Sequence, residues 1–153
     1  MAKSKKWKIK GLEERTSLED SGRIVLKQRL KALISSIKLF LKEETVENLH
    51  EIRISLRRLR YNMEIFFCCF DKKKFVVFYK KISLLQDLTG NKRDFDVLIE
   101  NINSINVNEE VEAINLLTKK IEEKKSTLQE KLILELVEFI HSRELKDFTK
   151  LIS

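Results

Sequence analysis

A histidine and three arginines recur at helical spacing in one segment of the chain, at His50, Arg53, Arg57 and Arg60. Intervals of 3, 4 and 3 residues put them in one column on an α-helix, about 15 Å long at 1.5 Å per residue. Guanidinium groups donate paired hydrogen bonds to phosphate oxygens. Like charges so placed weaken an isolated helix, yet no acid enters the column before Glu64. The column predicts an anion site; the alternative interpretation is a solvated helix face with His50 hydrogen-bonded at the helix start.

An apolar stripe runs beside this column, offset by one residue. It keeps the intervals 3 and 4 without a break, which is the pattern of a buried helix face. One residue corresponds to a rotation of about 100°, so the cations border the buried face. The stripe consists of Leu49, Ile52, Leu56, Leu59, Met63, Phe66 and Phe70.

The elements that must position the column are all predicted to be helices. The chain has no proline and only three glycines in 153 residues, which excludes most all-β folds because their turns need these residues. Thr16 and Glu19 form a predicted capping box, Thr45, Asp71 and Asn108 are predicted N-caps, and Gly90 is a predicted left-handed C-terminal residue. The predicted helices are 17–42, 46–70, 72–89, 92–102, 109–141 and 144–152. Short connections make neighbours antiparallel, so we expect an all-α, antiparallel bundle of four main helices.

The net charge of +7 is unevenly distributed along the chain. Five lysines and no acid occupy the first ten residues, and we expect residues 1–15 to form a basic arm, anchored by Trp7 and Ile9, ahead of a bundle at 16–153. Residues 1–100 carry 23 basic and 14 acidic side chains, and residues 101–153 carry 8 and 10. This asymmetry favours a polyanionic partner. Basic residues also follow the apolar positions of the first helix, where their stems could equally cover apolar surface: Arg23, Lys27, Lys31, Lys38 and Lys42.

Other chemistry has little support in the sequence. The adjacent Cys68 and Cys69 suit a reduced interior, and we expect a cytoplasmic protein with no signal peptide and no membrane span. Asp94, Asp96 and Glu100 form an acidic cluster, for which we expect Asp94 and Asp96 to hold Arg93 rather than a metal ion. A glycine-rich phosphate loop is absent from the sequence. We therefore expect no catalytic residue, no metal and no cofactor.

Two motifs resemble the CHAD domain, a histidine-containing α-helical family. Residues His50 to Arg60 are similar to its H-x-x-R-x-x-x-R-R-x-R signature, and residues Gly90 to Leu98 are similar to its G-x-x-R-D-x-D-V-L motif, with Thr89 where a leucine is usual. The segment Lys6 to Leu12 is similar to the one that often leads into the domain, and 41–46 corresponds to the loop before the histidine. The resemblance covers roughly residues 6 to 102.

The resemblance implies a non-enzymatic module that binds inorganic polyphosphate along a basic channel. Carried over by position, the channel residues are His50, Arg53, Arg57 and Arg60, with Arg93 in addition. Arg58 belongs to the signature but points about 100° past Arg57 on a helix. We include Lys27 and Lys81 as further candidate contacts. In the cytoplasm, polyphosphate granules would be a source of this ligand.

The chain is half the length of a full CHAD domain, which contains two related bundles. Its motifs combine features of both halves: Arg60, Tyr61 and Glu64 resemble the second half, and Arg93 and Asp94 the first. We therefore expect one half-domain that forms a homodimer about a two-fold axis, with the basic columns facing a shared groove. Two alternatives remain open, a nucleic-acid-binding protein and a structural dimer without a polyanion ligand.

Overall fold

The computed structural model describes residues 9–104 and 111–153, and these form an all-α bundle with no β-strand among them. The helices are α1 (Leu18–Lys42), α2 (Val46–Ile65), α3 (Lys72–Ser104), α4 (Val111–His141) and α5 (Arg143–Leu151), with one turn of 3-10 helix at Phe67–Cys69. The predicted fold class is confirmed, with four main helices and a short fifth.

Successive main helices run antiparallel and pack side by side. Only residues 43–45 separate α1 from α2. Between α3 and α4, Lys81 pairs with Glu135 and Asp96 pairs with Lys125, so numbers rise on one helix as they fall on the other. The short α5 packs on α3 and α4.

The core forms where the apolar stripes of these helices meet. The predicted stripe of α2 is buried, and Ile52, Leu56, Leu59 and Met63 have no exposed surface. At the end of the bundle that contains α5, the ring of Phe148 stacks on that of Phe78 at 4.0 Å between centroids. The burial of the α2 stripe leaves the cation column at the edge of the core, as its one-residue offset predicts.

The predicted N-caps of α2 and α3 are confirmed, and the predicted cap of α1 is wrong. Thr45 and Asp71 accept hydrogen bonds from backbone N–H groups at the starts of α2 and α3. The N-cap of α1 is Ser17 rather than Thr16: the Ser17 hydroxyl accepts from the Asp20 N–H at 3.1 Å. Thr16 instead accepts from the Glu13 N–H, so the predicted capping box is wrong by one residue.

The second helix is shorter than predicted. It ends at Ile65 rather than Phe70, and the chain continues as a 3-10 turn. Phe66 and Phe70 are nevertheless buried, because this turn packs against Gly22 of α1. A Cβ atom at Gly22 would lie 3.0 Å from the Phe66 ring and 3.2 Å from the Phe70 ring, so the absence of a side chain allows this close contact.

The third helix is longer than predicted. It runs unbroken through Gly90 to Ser104, so the predicted stop at Gly90 and the separate segment at 92–102 are wrong. Gly90 keeps a negative φ, and Gly11 is the only described residue with a positive φ. The helix is held beyond Gly90 by ion pairs from Lys92 to Asp96 one turn later and from Lys125 of α4 to the same carboxylate.

Parts of three predictions lie outside the described residues. The predicted cap Asn108, the anchor Trp7 and most of the lysines of the arm belong to 105–110 and 1–8. The described part of the arm contacts the bundle: Ile9 packs against the core, and the Lys10 carbonyl accepts a hydrogen bond from Gln28. The division at residues 15 and 16 stays a prediction.

Candidate functional site: a polar cleft between α2 and α3

A polar cleft of about 400 Å³ lies between α2 and α3. Three of the four residues of the predicted column, His50, Arg53 and Arg57, line its α2 side. The opposite side comes from a stretch of α3 centred on Gly90, and its lining residues are Gln86, Asp87, Gly90, Asn91 and Asp94. The helical spacing of the column therefore brings its side chains to one open site.

Arg93 lies at the same site. It lines an adjoining cavity of about 370 Å³ together with His50 and Arg53 and with the first residues of α2. Its guanidinium Nη1 lies 3.7 Å from Glu100 Oε1. The predicted pairing of Arg93 with Asp94 and Asp96 is wrong: Arg93 pairs with Glu100 instead, and Asp96 lies on the side of α3 that faces α4, where it pairs with Lys125.

The last arginine of the column, Arg60, is engaged within the protein. Its Nε donates to Glu64 Oε1 at 3.1 Å, its Nη1 donates to Gln86 Oε1 at 3.3 Å, and its guanidinium lies 6.0 Å from the centre of the Tyr79 ring. The hydrogen bond to Glu64 raises the pKa of Arg60. Arg60 is thus a fixed cation at the end of the column.

Arg53 and Arg57 differ from Arg60 in having no ion pair with any described residue. Arg57 is exposed and Arg53 is half-buried. Acids also line the cleft: Asp87 and Asp94 stand on the α3 side, and Glu47 and Glu51 line the adjoining cavity. An anion would therefore bind along the α2 side, where the guanidinium forks are unoccupied.

Three predicted residues lie away from this cleft. Lys27 lines a separate depression between α1 and α5 with Lys31 and Lys38. Lys81 pairs with Glu135 of α4, with 2.9 Å between Nζ and Oε2. Arg58 is half-buried and its carbonyl accepts from Asn62; it does not line the cleft.

The sequence prediction missed the α3 side of the cleft and the role of Asp96. Asp96 is buried, and it lies 2.6 Å from Lys125 Nζ and 3.8 Å from Lys92 Nζ. Neither of its oxygens receives a hydrogen bond of good geometry from the described residues, so the two ammonium groups hold it by charge. Burial lowers the pKa of Lys92. The i, i+4 spacing of Lys92 and Asp96 was the available signal.

The described residues lack two further classes of feature. They contain no group of three or more His, Cys, Asp or Glu side chains that could hold a metal ion. They contain no helix that is both long and apolar enough to cross a membrane.

The family profile of the CHAD domain matches two overlapping stretches of the chain, residues 2–103 and 25–153. Comparison with curated proteins gives no match, and neither does comparison with solved structures. The two family matches together span residues 2–153 and both include the cation column on α2 and the α3 side of the cleft. The chain belongs to the CHAD domain family.

Proposed function

We propose that this protein binds inorganic polyphosphate in the cleft between α2 and α3. The observation that carries the proposal is the state of Arg53 and Arg57, which line an open cleft and have no ion pair with a described residue. Charged donors gain most from an anion that presents several oxygens at once. Arg60 and Arg93 add cations at the two ends, His50 adds an exposed imidazole, and the family is associated with polyphosphate binding.

The residues that line the cleft favour polyphosphate over nucleic acid as the ligand. Single-stranded nucleic acids are commonly held by aromatic side chains that stack on bases, and no aromatic residue lines the cleft. Tyr79, whose ring lies 6.0 Å from the guanidinium of Arg60, has its hydroxyl bonded to Glu64. A polyanion without bases needs only a narrow row of cations, which is what α2 presents.

We infer a binding role without catalysis. A histidine that acts as a general base is usually oriented by a second group. His50 forms no hydrogen bond with a described side chain and is exposed. The arginines supply charge and hydrogen bonds but no proton transfer near neutral pH. Binding would take place in the cytoplasm, where polyphosphate granules are a source of the ligand.

We also propose that the protein acts as a homodimer with the two cation columns facing a shared groove. The support is that the motifs of this one bundle combine features of both halves of a full CHAD domain, since Arg60, Tyr61 and Glu64 resemble the second half and Arg93 and Asp94 the first. Asp87 and Asp94 make the α3 side of a single cleft partly acidic. A second column would add cations opposite the first and outweigh these carboxylates.

The test is a titration with long-chain polyphosphate at several salt concentrations. Replacing Arg53 and Arg57 by Gln should weaken binding and flatten its salt dependence, because fewer counterions are released on binding. On duplex DNA the logarithmic slope changes by about 0.9 per neutralised phosphate. The matched control replaces Arg143 and Lys146 by Gln, since both are exposed on α5 and lie outside the cleft.

The outcomes separate the three functions. Binding that is lost in the Arg53/Arg57 variant and kept in the α5 control supports the proposal. Equal binding by both variants would overturn the cleft as the site. Displacement of polyphosphate by an equal phosphate concentration of DNA at matched salt would favour a nucleic-acid-binding protein, and absence of any binding would favour a structural dimer.

A further inference from the structure

Helices α3 and α4 continue beyond the turn that joins α1 to α2. Glu44 in that turn accepts a hydrogen bond from Gln129 of α4, so the turn lies beside Gln129 along the length of α4. On α3, Arg93 still lines a cavity with the first residues of α2. The residues beyond these points, 93–104 of α3 and 111–128 of α4, are called the α3–α4 hairpin below. Its α3 part is about 18 Å long at 1.5 Å per residue.

The hairpin has only a small core of its own. Ile102 and Ile121 are buried, yet neither belongs to the main hydrophobic cluster of the bundle. A pair of helices in water depends on packing of apolar faces for its stability. For helices of this length, the hairpin is held by little: two buried isoleucines and the ion pairs of Asp96.

An apolar groove lies along the hairpin on the side next to the cleft between α2 and α3. It has a volume of about 870 Å³, and no residue of α1 or α2 lines it. Its apolar side chains include Phe95, Leu98, Leu117 and Leu128. Leu98 is 42% exposed and Leu117 is 50% exposed. Contiguous apolar surface of this kind marks interaction sites on soluble proteins.

The two walls of the groove carry opposite charge. The α4 wall contributes three cations, Lys120, Lys124 and Lys131, against one acid, Glu123, a net charge of +2. The α3 wall contributes Asp94 and no cation, a net charge of −1. None of these three lysines forms an ion pair with a described residue. The groove thus suits a second apolar helix pair that also has one basic wall and one acidic wall.

We propose that the α3–α4 hairpin docks onto the same hairpin of a second copy of this chain. In a two-fold arrangement the basic α4 wall of each copy meets the acidic α3 wall of the other, and the exposed leucines of both become the centre of a four-helix contact. The proposal rests on the proposed function in one respect, since it names the surface of the homodimer. It does not require polyphosphate.

The docked copy would also border the cleft between α2 and α3. Asn91 and Asp94 line both the groove and the cleft, so the two share one ridge of α3. A second hairpin seated in the groove would therefore lie beside the columns of both copies. This relates the contact between the copies to the shared groove proposed above.

The experiment is sedimentation velocity on the full chain over a concentration series without polyphosphate. The wild-type protein should dimerise, and replacing Leu98 and Leu117 by Glu should weaken the dimer roughly tenfold or more, as expected for side chains at the centre of an interface. The matched control is Leu134→Glu, an exposed leucine of α4 that does not line the groove. Circular dichroism checks that all variants remain helical, which is expected because these leucines are exposed.

A second variant tests the charges. Replacing Lys120 and Lys124 by Glu changes the α4 wall from +2 to −2, so it should repel the acidic α3 wall and weaken the dimer. A monomeric wild-type protein would overturn the proposal, as would a dimer that survives the leucine substitutions or is lost only in Leu134→Glu. Because no polyanion is present, these results do not depend on whether the protein binds polyphosphate.

Discussion

The hydroxyl of Tyr79 donates a 2.6 Å hydrogen bond to Glu64 Oε1, the same oxygen that accepts from Arg60. The bond from Tyr79 and then the bond from Arg60 lower the pKa of Glu64, and the pKa of Tyr79 is raised in return. Glu64 therefore remains ionised near neutral pH and directs Arg60 along the helix. One carboxylate thus sets how much of the charge of Arg60 is available to a ligand in the cleft.

Replacing Glu64 by Gln should strengthen polyphosphate binding. The change removes a negative charge and releases Arg60 from its ion pair while Tyr79 keeps a hydrogen-bond acceptor. Exposed ion pairs of this kind contribute about 0.5 kcal/mol, so the gain in affinity should be roughly twofold. Titration of both proteins at equal salt measures it. Weaker binding by Glu64→Gln would show that Arg60 must be held in place to contribute.

Replacing Gly90 by Ala should stabilise the fold and weaken polyphosphate binding. An added Cβ meets no atom within 4 Å, and alanine inside a helix is more stable than glycine by about 0.5–1 kcal/mol. The methyl group would nevertheless occupy the wall of the cleft opposite the arginines. Urea denaturation and polyphosphate titration measure the two effects.

The matched comparison is Gly22→Ala, which should destabilise the fold. There the added Cβ would press on the buried Phe66 and Phe70 rings at 3.0 and 3.2 Å, and overpacking of a core costs about 1–3 kcal/mol. The same substitution in two helices is thus expected to change the free energy of unfolding in opposite directions. A destabilised Gly90→Ala protein would contradict the open surroundings of Gly90.

Replacing Asp96 by Asn should destabilise the protein by about 3 kcal/mol, because it removes the buried carboxylate with which both Lys92 and Lys125 pair. Replacing Lys92 by Met should have a much smaller effect, since Asp96 keeps its ion pair with Lys125. Chemical denaturation of the two variants gives the comparison. Equal losses in both would mean that Lys92 and Asp96 stabilise the fold only as a pair.

The lowered pKa of Lys92 predicts a gain in stability at alkaline pH. Its pKa in the folded state lies below the ordinary value of 10.5, so between these two values the unfolded chain binds more protons than the folded one. The free energy of unfolding should therefore rise with pH in this window. Lys92→Met lacks this group, and the difference between the two proteins measured from pH 7 to 10.5 isolates its contribution. A constant difference would contradict the shift.

The cation column could be predicted from the sequence because helical periodicity is a local property. The intervals between His50 and Arg57 and the neighbouring apolar stripe determine which side of α2 is buried, whatever packs against it. Arg60 shows the limit of this reasoning. Its column position was predictable, whereas its contacts with Gln86 and Tyr79 depend on how α3 is aligned with α2.

The sequence does not reveal the α3 side of the cleft, because Gly90 predicts a helix end where α3 in fact continues. Glycine ends many helices, but it is tolerated inside one when contacts on both sides hold the helix together. Here the contacts come from Asp96 and from Lys125, a residue of another helix. With α3 taken as continuous, the spacing of Asp87, Asn91 and Asp94 would have indicated one face opposite the column. The sequence alone does not show that Lys81 forms an ion pair away from the cleft, because its partner Glu135 lies 54 positions along the chain.

The stacking of Phe148 on Phe78 bears on the order in which the protein can fold during synthesis. Phe148 belongs to the short α5, near the C-terminal end of the described chain, and it also contacts Phe75. While the ribosome still holds this segment, the aromatic rings of α3 have no partner from α5. We therefore expect that, when only α1 to α4 have emerged from the ribosome, this end of the core stays open to solvent. It closes once α5 has left the exit tunnel.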